Sequence, residues 1–274
     1  MEGSINFFTT AIAHQTMKIL SIQRDLWGTK IVRFLGIRIY KRFGYYQAIR
    51  SMREAIADPR GIGMLNLMMK NLAIPESHRH LFYEMGEGDV CIDCWANAGL
   101  FADCCLHVGA SVHLFEPNGM LVRMLRRKYQ GEKNVVINHA AVAAKEGRMK
   151  LYNPVRARNN IEFAASGTLV ADYWPRAGKA AILEEEVAVI DLATYMKSHF
   201  PPGNTPPIRL LKIDIEGAEF DLLEKIINEK IFKLCKHIVV ETHERMFPDG
   251  GKKLARLKAM ISEHGADNIS LDWV

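Results

Sequence analysis

From Asp89 to the carboxyl end, short apolar runs alternate with segments of helical spacing, and this alternation limits the fold more than any other feature. DVCID (89–93) precedes the helix-spaced AGLFADCCLHVGA, which closes near Gly109. SVHLFEP (111–117) is followed by the helical MLVRMLRRKYQ, and NVVINHAAV (134–142) reads as a third strand. IRLLKIDIEG (208–217), the amphipathic AEFDLLEKIINEK and HIVVETH (237–243) repeat the pattern; KKLARLKAMISEH and NISLDWV complete it. Strands alternating with helices make a parallel sheet covered on both faces. The spacing predicts a doubly wound α/β domain over 81–274.

Residues 144–207 interrupt the rhythm. GRMKLYNP and EEEVAVID read as strands, the stretch between them lacks clean periodicity, and PPGNTPP (201–207) resets the chain. An insertion there would lie over the carboxyl edge of the sheet, where functional loops gather. Residues 1–80 read as a helical, basic extension, with KIVRFLGIRIYKRFGYYQAIRSMREAI mixing cations and apolar residues at roughly helical spacing. They hold 12 Lys and Arg against 5 Asp and Glu, an excess of +7, whereas the chain as a whole carries +5. The extension reads as a cap on the core, or as a surface that meets membrane headgroups or another anionic partner. No apolar stretch approaches the ~18–20 residues of a membrane span. Residues 1–17 hold Glu2 and no Lys or Arg, which does not suit a secretory signal. Five cysteines, an odd number, suit reduced thiols in a cytoplasm. No nucleic-acid recognition module is evident, so no such partner is expected.

In an open α/β sheet, ligands bind beyond the carboxyl ends of the strands. Here those ends are polar: Asp93 with the loop CWANAG, Glu116, Asn138 with His139, Asp214 with Glu216, and Glu241 with His243. A strand, a small-residue turn and a helix present backbone N–H groups to an anionic ligand end. Glu116, about twenty residues after Asp93, stands where an acid accepts hydrogen bonds from ribose hydroxyls. The pair suits a nucleoside-containing cofactor. The turn is not G-x-G-x-x-G, and G-x-x-x-x-G-K-[ST] is absent, which disfavours a dinucleotide and removes a P-loop.

IDCWANAGLF, HLFEPN, AAVAAKEGRMKLY, LLKIDIEGAEFDLL and IVVETH stand in the order and spacing of the FkbM methyltransferases, which residues 83–274 resemble. The resemblance implies a Rossmann-like class I methyltransferase fold. It also implies S-adenosylmethionine as cofactor and methyl transfer to a hydroxyl of a glycan or related small-molecule acceptor. Asp93, Ala96, Asn97 and Gly99 match the family's cofactor loop, D-x-G-A-N-x-G. Glu116 matches its ribose-binding acid, and Ala141 falls in the segment expected beside the adenine. Trp95 replaces the first glycine of that loop, so its indole must swing aside or cover part of the cofactor pocket. It therefore weakens or reshapes cofactor binding, or marks a non-catalytic binding module. The intact acidic strand ends favour an active enzyme.

Methyl transfer needs an aligned nucleophilic oxygen and often removal of its proton. Asp214 is the first choice for the acceptor site, with Glu216 and Glu241 as further carboxylates. His243, ordinarily near pKa ~6.5, suits a general base, or else is a histidine satisfied by a backbone carbonyl. Lys212 pairs with a carboxylate or with an acidic acceptor. Asp214 with Glu241 offers two carboxylates to a divalent metal, but spacing dictates no further ligand and no metal is predicted. Cys91-x-x-Cys94 lies along a strand, and Cys104-Cys105 in a helix, so these thiols read as core rather than as a metal site.

Overall fold

The computed structural model describes residues 20–24, 30–34, 37–40, 62–72, 74–154, 167–169, 182–201 and 208–273. It divides into two compact units, Met1–Leu67 and Met68–Val274. The first contains an antiparallel sheet of three strands, β1 (Leu20–Arg24), β2 (Lys30–Phe34) and β3 (Ile37–Tyr40), in the order β1-β2-β3. This overturns the helical reading for 30–40. KIVRF and IRIY are rich in β-branched and aromatic residues, which suit a pleated strand, and they pair in register from Ile31↔Tyr40 to Phe34↔Ile37. The rest of that expected helix, 41–56, lies outside the described residues. A helix does follow, α1 (Ile62–Asn71).

The second unit begins within α1 and continues through a 3₁₀ turn at Glu76–His78 and the short α2 (His80–Tyr83). The turn was expected in the extension, whereas all of α2 but His80 was expected in the α/β domain. Both belong to the α/β unit, where Phe82 is fully buried edge-on against Phe101, with ring centroids 5.6 Å apart. Next come β4 (Val90–Cys94), α3 (Leu100–His107), β5 (Ser111–Phe115), α4 (Gly119–Lys128) and β6 (Val135–Asn138). β7 (Ala141–Ala143), β8 (Gly147–Pro154), β9 (Ile182–Asp191) and α5 (Leu192–His199) occupy the middle of the chain. β10 (Ile208–Ile213), α6 (Glu219–Asn228), β11 (Cys235–Val240), α7 (Gly250–His264) and β12 (Ile269–Ser270) follow.

Six strands form one parallel sheet in the order β12-β11-β10-β4-β5-β6. From β4 the chain winds outward through β5 to β6, and from β10 it winds the other way through β11 to β12. The reversal falls between β4 and β10, which makes their carboxyl ends the crevice of a Rossmann-like fold. Every residue of β10 is buried, as are Cys91, Ile92, Asp93 and Cys94 of β4. Such strands read as unbroken apolar runs because helices cover both faces. Phe220, Leu222, Leu223, Ile226 and Ile227 of α6 are buried, each contributing about 1.5–3 kcal/mol. All five cysteines are buried and free, as small core residues.

NVVINHAAV, read as one strand, is two. β6 closes the main sheet at Asn138, whose carbonyl accepts from Glu116 N at 3.1 Å and whose side chain donates to Leu114 O at 3.1 Å. After His139 and Ala140, β7 joins a second sheet of order β7-β9-β8, in which β8 and β9 pair antiparallel from Gly147↔Val189 to Pro154↔Ile182. α5 was not anticipated; its signal is Asp191, whose carboxylate accepts from Thr194 N at 3.2 Å. Most of the aperiodic stretch between β8 and β9 lies outside the described residues.

α7 begins at Gly250 against the turn that follows His243. A Cβ at Gly250 would stand 1.9 Å from Glu244 O and 2.6 Å from Glu244 C, both backbone atoms. Gly250→Ala is therefore expected to destabilise the protein by about 1–3 kcal/mol, read as a lower denaturant midpoint with unchanged slope.

Candidate active site

The loop between β4 and α3 turns through three left-handed residues, Trp95 (φ 80), Asn97 (φ 51) and Gly99 (φ 75). Backbone bonds impose that path. Trp95 N and Ala96 N both donate to Phe115 O at 2.9 Å, and Gly99 N donates to Ala96 O at 2.8 Å. At Trp95 the left-handed conformation is strained for any residue with a Cβ. Burial offsets the strain, since the indole is only 5% exposed and belongs to the same core cluster as Phe115, Ala141 and Leu169. Gly99 is required for space as well: a Cβ there would fall 2.5 Å from the Tyr129 hydroxyl.

Two residues that sequence reasoning missed, Lys128 and Tyr129, pin this loop from the end of α4, with Asp103 of α3 as their shared partner. Lys128 Nζ donates to Ala98 O at 2.9 Å and pairs with Asp103 at 2.5 Å. The Tyr129 hydroxyl lies 2.6 Å from Gly99 O and 2.8 Å from Asp103 Oδ1. The basic last turn of α4 hid them, because such a turn ordinarily serves the helix dipole. Gly99 caps α3 without a side-chain hydrogen bond to its first turn.

Glu116, just past β5, is 1% exposed. Its two carboxylate oxygens accept from Asn97 N and Asn118 N, both at 2.8 Å. Burial pushes its carboxyl up to about 7, against the opposing pull of those two N–H groups. Asn138 ends β6 and His139 follows it, with the His139 ring 3.2 Å from Pro117 O, and Ala141 is buried in β7. Asp93, Trp95, Ala96, Asn97, Gly99 and Glu116 therefore share one loop system, with Asn138, His139 and Ala141 on its flank.

The register of β4 and β10 sets Lys212 opposite Asp93. Lys212 Nζ lies 3.1 Å from Asp93 Oδ1 and 3.2 Å from Asp214 Oδ2, and Lys212 is 6% exposed. Burial alone would lower the Lys212 ammonium; Asp93 and Asp214 outweigh it and hold it above the ordinary lysine range. Burial raises Asp93 to about 6 despite Lys212. Of the two partners read for Lys212, it takes the carboxylates, and both.

Beyond Asp214 the chain leaves β10 and turns at Glu216 (φ 53), so Glu216 does not share the strand's face. The turn nevertheless returns its carboxylate to the cluster. His243 Nε2 lies 3.5 Å from Glu216 Oε2, 3.6 Å from Glu241 Oε1 and 3.9 Å from Asp214 Oδ1. Its other nitrogen, Nδ1, is 2.8 Å from Glu219 Oε1. Glu219, fully buried and missed from sequence, also accepts from Ile215 N and Gly217 N at 3.0 and 3.1 Å. It sits in the first turn of α6, where an acid reads as a capping residue.

His243 is bonded to a carboxylate, not to a backbone carbonyl. Burial would lower the imidazole, but Glu219, then Glu216 and Asp214, carry it up to about 9. In the cation-free protein these carboxylates favour the protonated ring, which makes His243 a weaker general base than an ordinary imidazole.

A parallel sheet wound both ways, with a buried acid over a tight loop and a polar cluster across the crevice, defines a Rossmann-like methyltransferase. Residues 93–267 match the family profile described as the methyltransferase FkbM domain, and the chain belongs to that family. The chain is also similar to the methyltransferase sdnD of Sordaria araneosa, at 31% identity over 86 residues. That match spans 30% of this chain and 31% of the relative, so under a third of the relative's length is covered. No solved structure matches the chain. Among the described residues, no helix is long and apolar enough to cross a membrane.

In the ligand-free protein, the folded state binds a proton at Glu116 more readily than the unfolded chain does. Its contribution to stability is full below the ordinary 4.5 and is lost as pH rises through about 7. Thermal melts between pH 4 and 8 should show the wild type losing stability relative to Glu116→Gln over that window. At Trp95, relief of the left-handed strain is worth about 1–2 kcal/mol, whereas deleting a buried indole costs about 3–5 kcal/mol. Trp95→Gly should therefore lower stability by about 1–4 kcal/mol in denaturant titrations.

Proposed function

We propose that the protein is an S-adenosylmethionine-dependent O-methyltransferase acting on a hydroxyl of a glycan or related small metabolite. The observation that carries this reading is the Asp93–Lys212–Asp214 chain, which joins the Glu116 loop to the acidic cluster across the switch point. The residues present fit the cofactor. Glu116 offers a buried carboxylate at the ribose position, and the left-handed turns preserve the loop's path with Trp95 in place of glycine.

Glu116 would hold the ribose, the backbone of the 95–99 loop and the start of α3 the amino-acid end, and Ala141 the adenine side. When bound, S-adenosylmethionine supplies an electrophilic methyl group on a sulfonium. Asp214, Glu216 and Glu241 stand at the neighbouring strand ends, where they orient an acceptor hydroxyl and accept its hydrogen. Lys212 keeps Asp93 and Asp214 in place. His243, anchored by Glu219, fixes the spacing of the three carboxylates around it. The relative named as a methyltransferase supports the class of reaction.

Calorimetric titration with S-adenosylhomocysteine tests the cofactor, and transfer of labelled methyl from S-adenosylmethionine to a panel of glycans and polyols tests the reaction. Micromolar binding is expected, weakened at least tenfold in Glu116→Ala. Asp214→Asn should lower turnover by about 10²-fold or more while keeping cofactor affinity. A folded wild type that binds no cofactor would make the chain a non-catalytic module.

A further inference from the structure

We propose that Asp214, Glu216 and His243 bind one divalent cation at the acceptor end of the crevice, with Glu241 beside it. One donor atom from each of the three lies within 4.8 Å of the others. A cation about 2.1 Å from its ligands keeps adjacent donors about 3.0 Å apart and opposite donors about 4.2 Å apart. The 3.5 Å and 3.9 Å between His243 Nε2 and the oxygens of Glu216 and Asp214 fall between these limits. They are long for hydrogen bonds.

The histidine is built for ligation. Its side chain is 1% exposed, and Nδ1 faces the Glu219 carboxylate at 2.8 Å. A carboxylate accepts, so the hydrogen belongs on Nδ1 when the ring is neutral and the Nε2 lone pair faces the cluster. Glu219 is held in turn by Ile215 N and Gly217 N. This is the carboxylate–histidine arrangement that orients a ligating imidazole.

Charge points the same way. Asp93, Asp214, Glu216, Glu219 and Glu241 converge here. Among the described residues, the permanent cations in contact with them are Lys212, shared by two, and Arg245, 3.6 Å from Glu241. The side chains of Asp214, Glu216 and Glu241 keep 21, 22 and 20% exposure, so the open side of the site faces solvent. One imidazole among carboxylates suits Mn²⁺ better than the all-oxygen preference of Ca²⁺. An acceptor hydroxyl can take an open position on the cation, a role that rests on the proposed methyl transfer; the binding itself does not.

The full-length protein, stripped with chelator and free of cofactor, is titrated with MnCl₂ while free Mn²⁺ is followed by electron paramagnetic resonance. One equivalent should bind with micromolar affinity. Asp214→Asn and His243→Gln should each weaken it at least tenfold, and Glu219→Gln by about 10–100-fold. Circular dichroism confirms folding; if the buried His243 variant does not fold, the partly exposed Asp214 variant decides. No binding by the wild type, or unchanged affinity in folded Asp214→Asn, overturns the site. Parallel titration with S-adenosylhomocysteine separates the two readings. Mn²⁺ binding without cofactor binding defeats the methyltransferase reading alone, and cofactor binding without Mn²⁺ defeats the cation site alone.

Discussion

Lys212 is the constraint on which the site depends. It stands in a strand buried at all six positions, between two carboxylates from different elements. An ammonium so placed is tolerable only while its partners remain, because removing one partner of a buried pair typically costs about 3–5 kcal/mol. The pair also lies across the two strands where the winding reverses. Its geometry therefore ties the β4 loop on one side to the acidic turn after β10 on the other, and neither side can shift alone.

On the β4 side, three forces act on five residues. Backbone bonds to Phe115 impose left-handed turns, the core draws the indole of Trp95 inward, and Lys128, Tyr129 and Asp103 hold the outer edge. The loop keeps the path a glycine would permit, at the expense of strain that burial repays. Glu116 beneath it is held by two backbone N–H groups and has almost no contact with water, so its ionisation is tied to the loop's integrity. On the β10 side, Glu219 does what the loop does for Glu116. It fixes a turn by accepting backbone N–H groups, and it aims His243 into a ring of carboxylates.

Much of this was legible beforehand because the sheet is buried on both faces. β4, β5, β10 and β11 announce themselves as apolar runs, and a polar residue at such a strand's end has few places to go except the crevice. Asp93, Glu116, Asp214 and Glu241 were found by that reasoning. The signal failed where two structures share a pattern. KIVRF and IRIY carry cations at intervals that fit a helix and a strand alike, and pairing in register makes them strands. NVVINHAAV is continuous as an apolar run, yet its halves hydrogen-bond to different sheets. Glu219 and Tyr129 look like ordinary helix-end residues, and their roles exist only through partners 24 and 30 positions away.

The amino-acid sequence by itself determined the winding of the α/β unit and the acids at its strand ends, since hydrophobic period and strand–helix alternation are local properties. Tertiary structure alone decided how those acids are used. The β4–β10 register set Lys212 against Asp93, the turn at Glu216 still aimed its carboxylate into the cluster although the strand had ended, and the buried Glu219 changed what His243 can be. Charge state and aim depend on distances between groups far apart in the chain, and no periodicity records them.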